Sequence, residues 1–195
     1  MNLLGEIFNY LIQTALSLFL FAVLIRLMLQ LARADFYNPV SQFVVRVTNP
    51  LLLPLRRLIP AIGKLDTASV VLALLVQTAS IIASLALMGY RPANLLILLV
   101  WSLIGVLSLA VNLFFFAILG LIIFSWIAPQ THHPALALLH QLTEPVMGPF
   151  RRLVPPIGGL DLSPILVFVV INVLGKLLAA MAAQFGMPPG IVPGL

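Results

Sequence analysis

Two arginine pairs, Arg56-Arg57 and Arg151-Arg152, each stand the same distance ahead of an aspartate, Asp66 and Asp161. A guanidinium is a planar fork of donors that meets phosphate or carboxylate oxygens two at a time. These side chains could therefore hold an anionic lipid headgroup, an acidic partner segment, or the aspartates of their own chain. Other chemistry is poorly supplied. The sequence has no cysteine, which removes thiolate metal sites and disulfides. His132, His133 and His140, with Glu144 nearby, do not follow a zinc-ligand spacing, so they are read as a solvated loop and no metal or cofactor is expected. Only five carboxylates occur in the chain, two of them at the motif ends, too few to suggest a positioned acid and base. The expectation is a protein that is not an enzyme.

The two motifs are copies. Residues 48–66 read TNPLLLPLRRLIPAIGKLD and residues 143–161 read TEPVMGPFRRLVPPIGGLD, identical at eleven of nineteen positions without a gap. Such self-similarity marks an internal duplication. The register runs back through Pro39 and Pro134 to Phe21-Ala22 and Phe116-Ala117. Each copy holds an apolar run, a prolyl stretch with the arginine pair, and a second apolar run, which divides the chain into residues 1–91 and 92–195.

Composition says where these copies reside. With 62% hydrophobic and 8% charged residues, the chain lies far from soluble proteins, in which about a quarter of residues are charged. Apolar runs near residues 11–31, 68–88, 103–127 and 164–183 each approach the ~20 residues that cross ~30 Å of hydrocarbon as a helix. Open strands cannot face lipid, so the expected class is all-α, a polytopic membrane protein with about four spans. The start, MNLLGEIFNY, lacks a basic region and carries Glu6, so the first run is expected to be a retained anchor. Residues 93–127 exceed one bilayer thickness. They could form one long helix, an interfacial helix followed by a span, or two short spans.

Arg33, Arg46, Arg56, Arg57, Lys64, Arg151 and Arg152 fall on one side of such a topology and Arg91 on the other. The positive-inside bias places the double-arginine loops in the cytoplasm and both termini outside. The copies are then parallel. Basic residues beside spans point to anionic lipid rather than nucleic acid as a partner.

Within each copy, Pro50, Pro54 and Pro60, and Pro145, Pro149 and Pro155, are expected to stop a continuous helix and turn the chain. A short amphipathic helix is expected before them, from Val40, Phe43, Val44 and Val47 and from Leu136, Leu139 and Leu142, lying on a surface or packed against the spans. Asp66 and Asp161 either cap the next helix or pair with an arginine. Arg26 is expected to snorkel to the interface as an anchor. Lys176, one turn beyond Asn172, either snorkels or makes a polar contact between helices. Ala79/Ala83, Ser80/Ser84 and Ala179/Ala183 have small-residue spacing that suggests close packing of the second and fourth spans, across the pseudo-axis or in a homo-oligomer.

The segment DFYNPVSQFVVRVTNPLLLPLRRLIPAIGKLD at residues 35–66, with PFRRLVPPIGGLDLSP at residues 149–164, resembles the two-repeat form of the YggT (YlmG) family of bacterial and plastid membrane proteins. The resemblance covers nearly the whole chain. The first copy departs from the pattern at residues 67–69, where TAS stands for LSP. The resemblance implies a bacterial inner-membrane location and links to cell division, nucleoid distribution, plastid cytochrome maturation and osmotic tolerance. It carries over no catalytic residue.

Two functions of different class suit these features. A scaffold or assembly factor needs a stable bundle and a display surface, here the arginine turns, facing anionic headgroups or a membrane or cytoplasmic protein partner. A small-solute or ion transporter would need polar groups along a path, and Gln13, Thr14, Gln77, Thr78, Asn112, Asn172 and Lys176 are scattered. The scaffold is the favoured expectation.

Overall fold

The computed structural model describes residues 3–90, 94–127, 133–154 and 161–192. These residues form six helices and no strand: α1 (Leu3–Leu31), α2 (Pro39–Leu58), α3 (Thr67–Leu87), α4 (Leu95–Ile127), α5 (Pro134–Leu153) and α6 (Ser163–Gln184). The all-α expectation holds. Helices α1, α3, α4 and α6 are long and apolar enough to cross a membrane.

Residues 95–127 form one helix of 33 residues, about 50 Å long at the α-helical rise, which selects the first of the three alternatives for this segment. Its counterpart α1 has 29 residues and begins well before the apolar run at residues 11–31. Both first helices of a copy therefore exceed the ~30 Å of hydrocarbon and must tilt or protrude.

The copies repeat one packing scheme. Helix α1 packs on α3 and α2 on both, while α4 packs on α6 and α5 on both. The copies join where α3 meets α4, and α1 adds contacts to α4 and α5. Helices α2 and α5 meet at one end of the bundle, where Asn38 Nδ2 donates to the Pro134 carbonyl (2.7 Å) and the Asp35 N–H to Gln141 Oε1 (2.9 Å). Leu20, Val23, Leu24 and Leu29 of α1, Leu52 of α2, Leu72 and Ala73 of α3, Leu113 of α4, and Leu138 and Leu142 of α5 share one core.

The small-residue stripes do not bring the second and fourth spans together within one chain. Helices α3 and α6 do not touch among the described residues. Ser80 and Ser84 are buried, and Ser84 Oγ accepts from Gln13 Nε2 of α1 (2.8 Å). Where α3 meets α4, Gly105 faces the Gln77 side chain: an added Cβ would lie 2.7 Å from Gln77 Nε2 and 3.0 Å from its carboxamide carbon, so Gln77 would have to shift. Nearby, Thr78 and Ser102 share a hydrogen bond of 2.8 Å. At the opposite end from α2 and α5 the chain after α6 folds back, burying Ile191 and Val192 against Ile81, Leu85, Leu98 and Trp101. Trp101 Nε1 donates to the Phe185 carbonyl (3.0 Å).

Gly105→Leu should overpack the α3–α4 seam and lower stability by about 1–3 kcal/mol, read as a fall in melting temperature in detergent. An unchanged melting temperature would show that the two copies do not meet there.

Candidate functional site

The prolines do not turn the chain where expected. Helix α2 runs from Pro39 through Pro50 and Pro54 to Leu58, and α5 runs from Pro134 through Pro145 and Pro149 to Leu153. An interior proline removes a backbone donor and crowds the preceding turn. Spacing by four residues puts both losses of each helix on one face, and that face is exposed, so the undonated carbonyls are not trapped in the core. Thr48 and Thr143, just before the prolines, donate back to the carbonyls of Val44 (2.8 Å) and Leu139 (2.7 Å), a bond that eases helix bending. Only the third proline acts as expected: α2 ends at Ile59, immediately before Pro60. Pro155 lies outside the described residues.

The amphipathic stripe is also rotated. Ser41, Val44, Thr48 and Leu52 are the buried side of α2, whereas Val40, Phe43 and Val47 are exposed. Helix α2 thus packs on the bundle with its polar Ser41 and Thr48 inward and an apolar, prolyl side outward. Asn38 Oδ1 caps α2 through the Val40 N–H (3.0 Å), and His133 Nδ1 caps α5 through the Ala135 N–H (3.2 Å). His133, exposed just ahead of the helix, is thus also its cap, in the register position of Asn38. His132 lies outside the described residues.

From the end of α2 the chain makes a tight turn in which Ile62 and Leu65 exchange backbone hydrogen bonds (3.1 and 3.0 Å) and Gly63 takes φ +60°. That turn delivers Asp66 to Arg56. Arg56 donates Nε (3.2 Å) and Nη2 (2.5 Å) to Asp66 Oδ2, which also accepts from the Ser69 hydroxyl. The Asp66 carboxylate makes no side-chain cap to α3, so of the two readings of this residue the arginine pair is the one present. In the second copy Arg151 donates Nε to Asp161 Oδ2 (3.1 Å) and Nη1 to Glu144 Oε2 (2.6 Å), while Asp161 Oδ1 accepts from the Ser163 N–H (2.9 Å). Here one carboxylate both pairs with the arginine and accepts from the first N–H of α6, although the N-cap residue is Leu162. The departure of TAS from LSP decides the difference, since Ser69 supplies a hydroxyl where the second copy has Pro164.

Burial opposes ionisation of Asp66, but hydrogen bonds from Arg56 and Ser69 and the guanidinium charge outweigh it, so its pKa lies below the ordinary value. Burial likewise opposes ionisation of Asp161, and Ser163 followed by Arg151 brings it below the ordinary value.

The arginine pairs are thus split. Arg56 and Arg151 are occupied by carboxylates of their own copies. Arg57 and Arg152 are exposed and have no ion pair or hydrogen bond among the described residues.

Arg26 does not snorkel. It is 4% exposed, and its Nη1 donates to Thr48 Oγ1, Asn49 Oδ1 (2.9 Å) and the Val45 carbonyl (3.3 Å) of α2. The guanidinium turns sideways because α2 lies over the end of α1 and offers three acceptors there. An open cavity of about 840 Å³ adjoins it, lined among others by Arg26, Arg46, Arg56, Asp66, Asn49 and Gln42. Sequence reasoning misses this cavity, although the polar residues one turn apart at 42, 46 and 49 are its signal. Asn172 and Lys176 lie elsewhere, exposed on α6. Asn172 Nδ2 donates to the Phe168 carbonyl (2.8 Å), and Lys176 makes no polar contact with another helix among the described residues. No group of three or more histidine, aspartate or glutamate residues among the described residues could hold a metal ion.

Asp66→Asn should cost about 1–3 kcal/mol, the loss of a charged hydrogen-bond acceptor from a buried position. Asp161→Asn, in a half-exposed pair, should cost under about 1 kcal/mol. Because both folded pKa values are depressed, the stability they add is complete above the unfolded carboxylate value of about 3.9 and is lost as pH falls through the lower folded values. Denaturation in detergent from pH 7 to pH 2 checks this, and equal costs for the two variants would contradict the difference in burial.

Known proteins share this repeated layout. The family model described as CCB3/YggT matches twice, over residues 5–87 and 100–182. An uncharacterized protein of Pseudomonas aeruginosa is 50% identical over 92% of this chain and 92% of its own length. The uncharacterized protein YggT of Escherichia coli K12 is 37% identical over 96% of each. A chloroplastic YlmG homolog protein of Arabidopsis thaliana is 41% identical over 54 residues, 28% of this chain and 22% of its own. No solved structure matches. Matched by the same model in both of its copies, and by full-length relatives, the chain belongs to the CCB3/YggT family.

Proposed function

We propose that this protein is a non-enzymatic scaffold or assembly factor of the bacterial inner membrane, with the α2/α5 end of its bundle at the cytoplasmic surface. The observation that carries the reading is the division of labour within each arginine pair. One guanidinium fastens the turn, and its neighbour, Arg57 or Arg152, projects free for an anionic headgroup or an acidic partner segment. The contact of α2 with α5 sets both copies at one end, as a single platform requires. The cytoplasmic assignment rests on the seven lysines and arginines at that end against Arg91 between α3 and α4.

Two features support a role without catalysis. Asp35 holds the Tyr37 N–H, and Asp66, Glu144 and Asp161 hold arginines or a helix start. Among the described residues, Glu6 alone of the five carboxylates has no such task. The polar side chains of the spans are divided: Gln13 and Thr78 join neighbouring helices, whereas Asn112, Asn172 and Lys176 line an open cavity between α4 and α6.

Since the sequence has no cysteine, Arg57→Cys and Arg152→Cys each give a single thiol. Both should react with a membrane-impermeant maleimide only from the cytoplasmic side of membrane vesicles; labelling of the two from opposite sides would end the platform. The double variant Arg57→Gln/Arg152→Gln should keep a stability within about 0.5 kcal/mol of the wild type, as exposed sites do, yet co-purify with less anionic lipid and lose captured partners. Division and osmotic tolerance, the processes implied by resemblance, are where its phenotype is read. Unchanged lipid, partners and phenotype together would refute the proposal.

A further inference from the structure

Arg26 carries a charge into a place where the described residues balance it only in part. It forms no ion pair among them, its three acceptors are neutral, and all three are met by one nitrogen, Nη1. Nε and Nη2 have no protein acceptor among the described residues, and the side chain lines the cavity beside Arg46 and Arg56. A buried cation without a counter-charge is costly. Asp66 relieves this only in part: its charge favours the Arg26 guanidinium, but its bonds go to Arg56 and Ser69 and the repulsion of Arg56 opposes it. The cavity wall thus holds three guanidiniums against one carboxylate, an excess of two positive charges.

The second copy is the internal control. Ninety-five positions on, Arg26 is replaced by Leu121, Arg46 by Gln141 and Asn49 by Glu144, while Arg56 and Asp66 persist as Arg151 and Asp161. Glu144 there is bound to Arg151, and Gln141 joins the two copies through Asp35. One guanidinium faces two carboxylates, so the excess positive charge is gone. The fold needs the arginine–aspartate pair, as both copies show, but it does not need Arg26 or Arg46.

We infer that the first-copy cavity is a binding site for a phosphate group of about two negative charges, held by Arg26 Nε and Nη2 and by Arg46, with Gln42 and Asn49 at its edge. A phosphate has the oxygens to meet a guanidinium fork in a bidentate way and the charge to offset the excess. The cavity is open and its wall also carries apolar Phe36, Val45 and Ile59, so the group can arrive on a lipid or on a soluble molecule. The inference shares the cationic end with the scaffold reading but uses different arginines.

The test uses the full chain in non-ionic detergent, titrated with phosphatidic acid against phosphatidylcholine by native mass spectrometry and with inorganic phosphate by calorimetry. Phosphatidic acid should bind in preference to phosphatidylcholine. Arg46→Gln and Arg26→Leu, each installing the residue of the second copy, should weaken that binding about tenfold, the loss of one charged hydrogen-bond donor. Arg46 is exposed, so its variant folds whether or not Arg26→Leu does. Binding of phosphatidic acid alone supports a lipid headgroup as the source, and binding of inorganic phosphate in competition with it supports a soluble one. No preference for phosphate by either probe, or full binding by Arg46→Gln, overturns the site. Arg57→Gln/Arg152→Gln should leave cavity binding intact; if that pair alone abolishes it, the ligand sits on the outer platform and the cavity inference fails while the scaffold reading stands.

Discussion

Each copy of this fold is closed by a guanidinium that reaches from the end of one helix to an aspartate at the start of the next. The pair Arg56–Asp66, with its counterpart Arg151–Asp161, ties α2 to α3 and α5 to α6. A carboxylate at a helix start and cations in a final turn also suit the dipoles of both helices. Remove this closure and α2 retains its packing on α1, but the turn that sets the arginine pair relative to the bundle is no longer fixed. The second arginine of each pair projects outward because the first is held.

Much of the frame is legible in the residues alone. The duplication shows in residues 48–66 and 143–161, and the four apolar runs correspond to α1, α3, α4 and α6. What misleads is local chemistry with two possible uses. Pro50 and Pro54 read as breakers, since a proline in a helix usually costs about 3 kcal/mol. Their four-residue spacing, which confines the damage to one exposed face, argues the other way. Arg26 lies near the end of an apolar run, and snorkelling is the common fate of such a residue. Nothing in its own helix discloses that Val45, Thr48 and Asn49 will lie across it. The burial of Ile191 and Val192 is equally hidden, because a short uncharged tail carries no periodicity to read.

Duplication gave the protein two identical frames that have since taken on different chemistry. Positions that close the turn keep their identities: arginine, aspartate, the threonine that bonds back along its helix, and the prolines on the outer face. Positions that face the adjoining space have diverged. Ser69 against Pro164 changes how the aspartate is held, and Asn49 against Glu144 changes whether the arginine is neutralised once or twice. Residues shared by both copies report on folding, and residues present in one copy report on something else.

That contrast bears on why a buried arginine is tolerated at all. Leu121 shows that an apolar side chain suits this position in the same helical setting, and it is nearly buried, at 7% exposure. Replacing a buried charge by an apolar residue of fitting shape is commonly neutral or stabilising, so stability alone does not account for Arg26. Its Nη1 does contribute to docking α2 on α1, yet α5 docks on α4 with no such bond. The guanidinium's remaining donors, on a side chain that lines an open cavity whose cations outnumber its carboxylates, are the part of Arg26 without a partner among the described residues.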